Sequence, residues 1–308
     1  MFRYVVKRCL LLIPILLAVS FIVYFIMDLT PGDTVDAQYP ELSFEEKEEI
    51  REEMGLNDPL VVRYARYMAG LLHGDMGTST TYHDSVFKIY MQRLPATLEL
   101  AFWGIFVAIL IAIPFGILAA RKQNTWIDSG SMFFGLLGLS IPNFWLGLML
   151  IILFAQILGW LPSFGNDSWK SIILPAITIG TGQSALLIRT TRSSMLEVIR
   201  QDYLRTARAK GVSEHKVIYR HALRNALIPI ITATGSQFSV SLGGAVVTES
   251  VFAWPGVGRL IIDSINTRDE IMAVGAIMLT TMLSSLVILG VDILYAFVDP
   301  RIKARYSK

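Results

Sequence analysis

Six stretches of about 20 apolar residues, each long enough to cross a hydrocarbon layer of about 30 Å as a helix, alternate with polar segments along the chain. They run roughly over 9–29, 97–119, 131–158, 173–190, 226–248 and 271–298. Only helices and closed barrels satisfy every backbone group in lipid, and continuous apolar runs favour helices over the period-two alternation of barrel strands. The pattern therefore predicts an all-α polytopic membrane protein with six transmembrane helices. The first stretch follows Arg3, Lys7 and Arg8, as a signal peptide would. Its apolar part is longer than the usual signal core and no small-residue cleavage site follows, so it reads as a retained helix.

The polar segment between the first two stretches has structure of its own. Ser43 with Glu46 three positions on forms a capping-box signature for the run Phe44–Gly55. Asn57-Asp58-Pro59 is a turn signal, after which Leu60, Tyr64, Tyr67, Met68 and Leu71 recur at helical spacing through Leu72. Two uses fit this segment, a docking surface for an external partner and a helical cap on the membrane face. The segments near 159–172 and 249–270 are short. The chain thus divides into an N-terminal helix (1–30), an extracytoplasmic segment (31–96), a five-helix core (97–300) and a tail (301–308).

Charge fixes the expected orientation. Arg3, Lys7 and Arg8, the pair Arg121 and Lys122, nine bases between Arg189 and Arg224, and Arg301, Lys303, Arg305 and Lys308 all fall on one side of a six-span topology. That side holds 18 of the 27 lysines and arginines. The opposite side's largest segment, 30–95, carries twelve acids against six bases. The positive-inside rule then places both termini and the 189–225 loop in the cytoplasm.

Composition agrees: of 308 residues 53% are hydrophobic and 17% charged, against about 25% charged in a soluble protein. A single cysteine, Cys9, excludes an internal disulfide and a cysteine-based metal site. His73, His83, His215 and His221 form no close ligand pair, so no metal site is expected. Gly-x4-Gly-Lys-[Ser/Thr] is absent, and with it the usual cradle for ATP phosphates. No nucleic-acid-binding module is present. Asn143, Gln237, Glu249 and Asp292 lie in or near apolar spans, where they line a translocation path or pair with neighbouring helices. Asp292, near the cytoplasmic end of its span, is placed to pair with a base. Pro114, Gly116, Gly135, Gly138, Pro142, Gly180, Gly182, Gly235 and the pair Gly243-Gly244 interrupt the spans, chiefly to permit close helix packing.

The segment from Arg189 to Pro229 is unusually long and basic for a connecting loop. It is amphipathic and helical on both sides of Gly211, which can end one helix in the left-handed conformation, while Ser213 can cap the next. The physics alone leaves open a helix lying on anionic lipid, a topology signal, or a compact two-helix knob beyond the bilayer.

The same segment resembles the cytoplasmic loop of ABC-importer permeases, whose general pattern is Glu-Ala-Ala, three residues, Gly, nine residues, Ile-x-Leu-Pro. Ala207, Gly211 and Leu223 match, whereas Arg205, Thr206, His221 and Arg224 depart and the next proline is delayed to Pro229. Those departures are similar to the oligopeptide, dipeptide and nickel branch, with its Asp-Tyr-x-Arg-Thr-Ala-Arg-Ala-Lys-Gly run. Pro31-Gly32-Asp33, Gly55-Leu56-Asn57-Asp58-Pro59, His73-Gly74-Asp75-Met76-Gly77, Ile141-Pro142-Asn143-Phe144-Trp145, Thr191-Arg192-Ser193-Ser194-Met195, Trp254-Pro255-Gly256-Val257-Gly258, Arg268-Asp269 and Val298-Asp299-Pro300-Arg301 extend the resemblance along the chain.

The resemblance implies a type I importer permease in a bacterial or archaeal cytoplasmic membrane, carrying short peptides inward and holding no catalytic residue or cofactor. Its implied partners are a second related permease, two cytoplasmic ATPases that hold ATP and Mg, an external solute-binding protein and membrane lipid. Tyr203, Leu204, Arg205, Thr206, Ala207, Arg208, Ala209, Lys210 and Gly211 would form the coupling helix. Nickel or another small solute is the alternative cargo. An ion-coupled secondary transporter, resting on Glu249 and Asp292, is the alternative mechanism.

Overall fold

The computed structural model describes residues 2–298. The expected basic tail and the end of the Val298–Arg301 motif lie outside the described residues. Among those described, every regular element is a helix, and a lone bridge joins Thr78 and Ser85.

The first apolar stretch is α1 (Phe2–Leu29). Three short helices follow: α2 (Thr34–Gln38), α3 (Phe44–Glu53) and α4 (Leu60–Leu72). The capping box forms as expected: Ser43 Oγ accepts from the Glu46 amide, and a Glu46 carboxylate oxygen accepts from the Ser43 amide at 2.8 Å. The Ser43 hydroxyl and amide hold the Glu46 carboxyl below its ordinary range. The apolar face of α4 caps the membrane helices: Tyr64 and Tyr67 pack with Tyr24 of α1 and with Val274 and Met278 of the last helix. Arg63 clamps the same corner, donating to Asp28 at 2.9 Å and to Glu270 at 2.6 Å.

The second apolar stretch becomes α5 (Val86–Arg121), which starts well before the expected boundary and retains Pro95 and Pro114. Prolines persist inside membrane helices because neighbouring groups satisfy the freed backbone. The third stretch is not continuous, contrary to expectation. It splits into α6 (Trp126–Ser140) and α7 (Asn143–Leu150), the latter continuing as a π-helix to Ile157, with a 94° bend between the halves. Pro142 is the cause. A residue before proline is disfavoured in the helical region, and Ile141 is extended at φ −84°, ψ 122°.

The fourth stretch forms α8 (Ile173–Ile199) and is the most enclosed helix, with Ile179, Leu187, Ile188 and Met195 buried. Its glycines, threonines and Gln183 make it less apolar than the other spans, and α5, α6 and α11 pack around it. Close approach requires the small residues. A Cβ on Gly180 would sit 2.7 Å from the Gly104 carbonyl oxygen of α5, and one on Gly116 would sit 2.5 Å from Thr191 Cβ.

After α9 (Asp202–Ala209) the chain turns at Gly211 into α10 (Glu214–Lys216), a π-helical stretch (Val217–Ala222) and α11 (Leu223–Gly244). The expected knob of two short helices is thus one short helix beside the start of a long one. Ser213 stands at the N-cap position of α10, but its side chain makes no capping bond. Then come α12 (Val246–Val251), α13 (Val257–Asn266) and α14 (Glu270–Val298).

Among the described residues, four helical stretches are long and apolar enough to cross a membrane: Val5–Leu29, Val86–Arg121, Glu214–Gly243 and Glu270–Ile293. The bent α6–α7 pair makes a fifth if it counts as one. A core of Val86, Tyr90, Val257, Leu260 and Met272 fills the end nearest α2–α4 and α13. A second, around Ile117, Met195, Leu204, Ile218 and Ala226, fills the end bearing α9.

Candidate functional site

The short helix α9 is held from three directions. Its Leu204 is fully buried among Ile117, Met195, Val217, Ile218 and Ala222, with Ala207 and Val212 packed beside it. The ends of α5, α8 and α11 thereby meet under one side chain. Tyr203 Oη accepts from Asn225 Nδ2 at 2.6 Å. Arg208 makes a two-pronged ion pair with Glu214, at 3.0 and 3.1 Å, tying α9 to the start of the following helix.

Gly211 ends the helix as its position predicts. Its φ is +77°, the Val212 amide reaches back to the Ala207 carbonyl at 3.2 Å, and its own amide donates to the Arg208 carbonyl at 2.9 Å. These are the two bonds of a Schellman motif, which needs a left-handed residue there. Leu204 faces inward and Arg208 is committed to Glu214. Tyr203, Arg205, Thr206, Ala209, Lys210 and Gly211 face outward, and the Arg205 side chain is 85% exposed.

A brace that is not evident from the sequence fixes the end of α8 from which α9 departs. Asp128 of α6 is buried and accepts from Arg192 Nε at 2.6 Å and Nη2 at 2.7 Å, and also from the Asn124 amide. The Thr191–Met195 run marked Arg192, but nothing in the sequence paired it with Asp128.

The four polar residues in the spans separate into three environments. Asn143 and Gln237 come together in one cavity of about 380 Å³, between the α6–α7 break, the middle of α8 and α11. Gln183 and Ser241, neither of which stood out among the polar residues of the spans, line it with them. Gln183 Nε2 donates to Ser241 Oγ, and Ser241 Oγ donates to the Gln237 backbone carbonyl at 3.0 Å. The polar character of Gln183 within an apolar stretch was the signal for it.

Glu249 lies elsewhere, fully buried, and does not line this cavity. Its carboxylate accepts from Thr97 Oγ1 at 2.7 Å and from the Arg259 amide at 3.0 Å, while Thr97 Oγ1 accepts from the Val257 amide at 2.8 Å. Together they satisfy the free amides that begin α13, where a helix favours negative charge. The Trp254–Gly258 motif builds this lock: Trp254 Nε1 donates to the Ala96 carbonyl at 2.8 Å, and Gly256 lies directly against the Glu249 carboxylate. Asp292 is likewise outside the cavity. It pairs with Arg8 of α1 at 3.0 Å, the basic partner its position anticipated. Among the described residues no cluster of histidine, cysteine and acidic side chains is suited to hold a metal.

Comparison with known proteins fits this geometry. The family model for the binding-protein-dependent transport system inner membrane component matches residues 112–304, and the model for the N-terminal part of the same membrane component matches residues 1–101. A dipeptide transport system permease protein of Alkalihalophilus pseudofirmus is 42% identical over 332 residues, covering 98% of this chain and 100% of its own. An oligopeptide transport system permease protein of Bacillus subtilis is 42% identical over 319 residues, with the same coverage. A glutathione transport system permease protein of Salmonella paratyphi A is 42% identical over 304 residues, covering 98% and 99%. Among solved structures, an inward-facing form of the MetNI methionine ABC transporter aligns at TM-score 0.58 with 20% identity, over 68% of this chain and 96% of that one. This last likeness concerns the fold alone. The chain is a multi-pass membrane protein and belongs to the family of binding-protein-dependent transport system inner membrane components.

Proposed function

We propose that the chain is the permease subunit of an ATP-driven importer of short peptides, with six membrane crossings and both ends in the cytoplasm. The relatives' names point to dipeptides, oligopeptides and glutathione, all short peptides, as the cargo class. The sixth crossing is α8, sheltered by its neighbours. The chain itself is not an enzyme. ATP and Mg belong to two cytoplasmic ATPase subunits, and a second related permease and an external solute-binding protein complete the assembly.

The observation that carries this reading is α9, a short helix presenting an outward face while Leu204, Asn225 and Glu214 fix it to the ends of three long helices. A helix so held passes rigid-body motion of an ATPase subunit to the spans, which a loose loop would not. Tyr203, Arg205, Thr206, Ala209, Lys210 and Gly211 supply the contact surface, Leu204 and Ala207 the anchor, and Arg208 the brace. Glu249 and Asp292 are each held by partners within the chain, which supports ATP-driven over ion-coupled transport. Asn143 and Gln237 line the path.

Gly211→Val tests the coupling role. A Cβ at this position meets no atom within 4 Å, so the substitution acts through backbone strain, about 1–2 kcal/mol for a left-handed residue. Uptake is expected to fall about tenfold with membrane insertion unchanged, and Gly211→Asn, which tolerates the conformation, should retain most of it. Normal uptake in the valine variant would contradict the assignment.

A further inference from the structure

Resting on the peptide-importer reading, we infer that the Asn143–Gln237 cavity binds the backbone of the passing peptide, its N–H and C=O groups, rather than its termini or side chains. Among the described residues neither the Asn143 nor the Gln237 side chain has a hydrogen-bond partner, and both stand half-buried at the wall of this cavity. Both face the same space, where their donors and acceptors are free to meet a ligand. Behind them Gln183 is 9% exposed, with Nε2 taken by Ser241 and a buried Oε1 that has no partner. The wall therefore carries unused donors and acceptors.

The chemistry of those groups selects the ligand. A carboxamide offers one carbonyl and one NH2 side by side. An extended peptide presents the N–H and C=O of a single residue to one side, as it does in an antiparallel pair, so a single asparagine or glutamine can engage both. Among the described residues, none that lines the cavity carries a charged side chain. A charged terminus or a metal ion would find no counter-charge there. Carboxamides that read only the backbone treat all side chains alike, which suits a wall that peptides of different sequence must pass.

The test uses the complete complex, with its binding protein, in proteoliposomes. Uptake of trialanine is compared with uptake of trialanine N-methylated at its central residue, which removes one backbone donor. Each peptide is supplied at a concentration that saturates the binding protein, and ATP hydrolysis is followed in parallel. Wild type should move the methylated peptide about tenfold more slowly, the upper end of one net hydrogen bond. Asn143→Leu with Gln237→Leu should bring the two rates to within about twofold, whereas Gln237→Asn, which keeps both groups, should preserve the difference. Equal rates in wild type would overturn the inference without need of any variant, as would an undiminished difference in the double leucine variant. Hydrolysis stimulated by the binding protein with no uptake of trialanine would overturn the peptide reading itself.

Discussion

Gly256→Ala is expected to destabilise the protein severely for so small a change. A Cβ there would lie 2.3 Å from Glu249 Cδ and Oε1, and that carboxylate cannot swing aside, because it is fully buried and bonded to Thr97 and the start of α13. Displacing it strands a buried carboxylate and the amides it satisfies together, a loss of about 3–5 kcal/mol. The unfolding midpoint in detergent should fall by many degrees, and little protein should reach the membrane. Glu249→Gln keeps an acceptor for the Thr97 hydroxyl and should cost less than the glycine variant. An unchanged midpoint for Gly256→Ala would show that the lock does not hold this region.

The second large effect is expected at Leu204. It is the one fully buried residue of α9, so Leu204→Ala removes the helix's main anchor, worth about 2–5 kcal/mol. The membrane helices have their own cores and should fold. What detaches is α9, so peptide uptake should fall more than tenfold at that energy scale, while ATPase subunits continue to hydrolyse ATP without driving transport. Arg205→Ala removes only an exposed side chain and should leave stability unaltered. Tight coupling in the Leu204 variant, measured as peptide moved per ATP hydrolysed, would contradict the anchoring role.

Local rules carried a large part of the fold. Apolar stretches located α1, α5, α8, α11 and α14; the capping box and turn placed α3 and α4; the glycine at 211 adopted its expected conformation. What escaped depends on partners distant in sequence. Pro142 was visible, but whether a proline kinks a membrane helix or breaks it by 94° depends on what surrounds it. Glu249 fitted a path or a pairing between helices equally well, because an apolar neighbourhood gives no hint that Thr97, more than 150 positions away, stands opposite. Asp128 and Arg192, 64 residues apart, were equally silent until packing joined them. Asp292 was legible in part, since its position near one end of α14 made a basic partner a reasonable expectation, and Arg8 is that partner. The cavity was half legible: Asn143 and Gln237 stood out as polar residues, but their meeting needed the break after Ile141.

The coupling role of α9 is tested by placing a photo-crosslinking amino acid at position 205, on its outward face, in otherwise native membranes. After irradiation and purification through a tag on this chain, the adduct is identified by mass spectrometry. One dominant adduct is expected, with an ATPase subunit, and it should diminish when Leu204→Ala detaches the helix. Crosslinks only to lipid, in membranes where the ATPase subunits are present and active, would contradict that role.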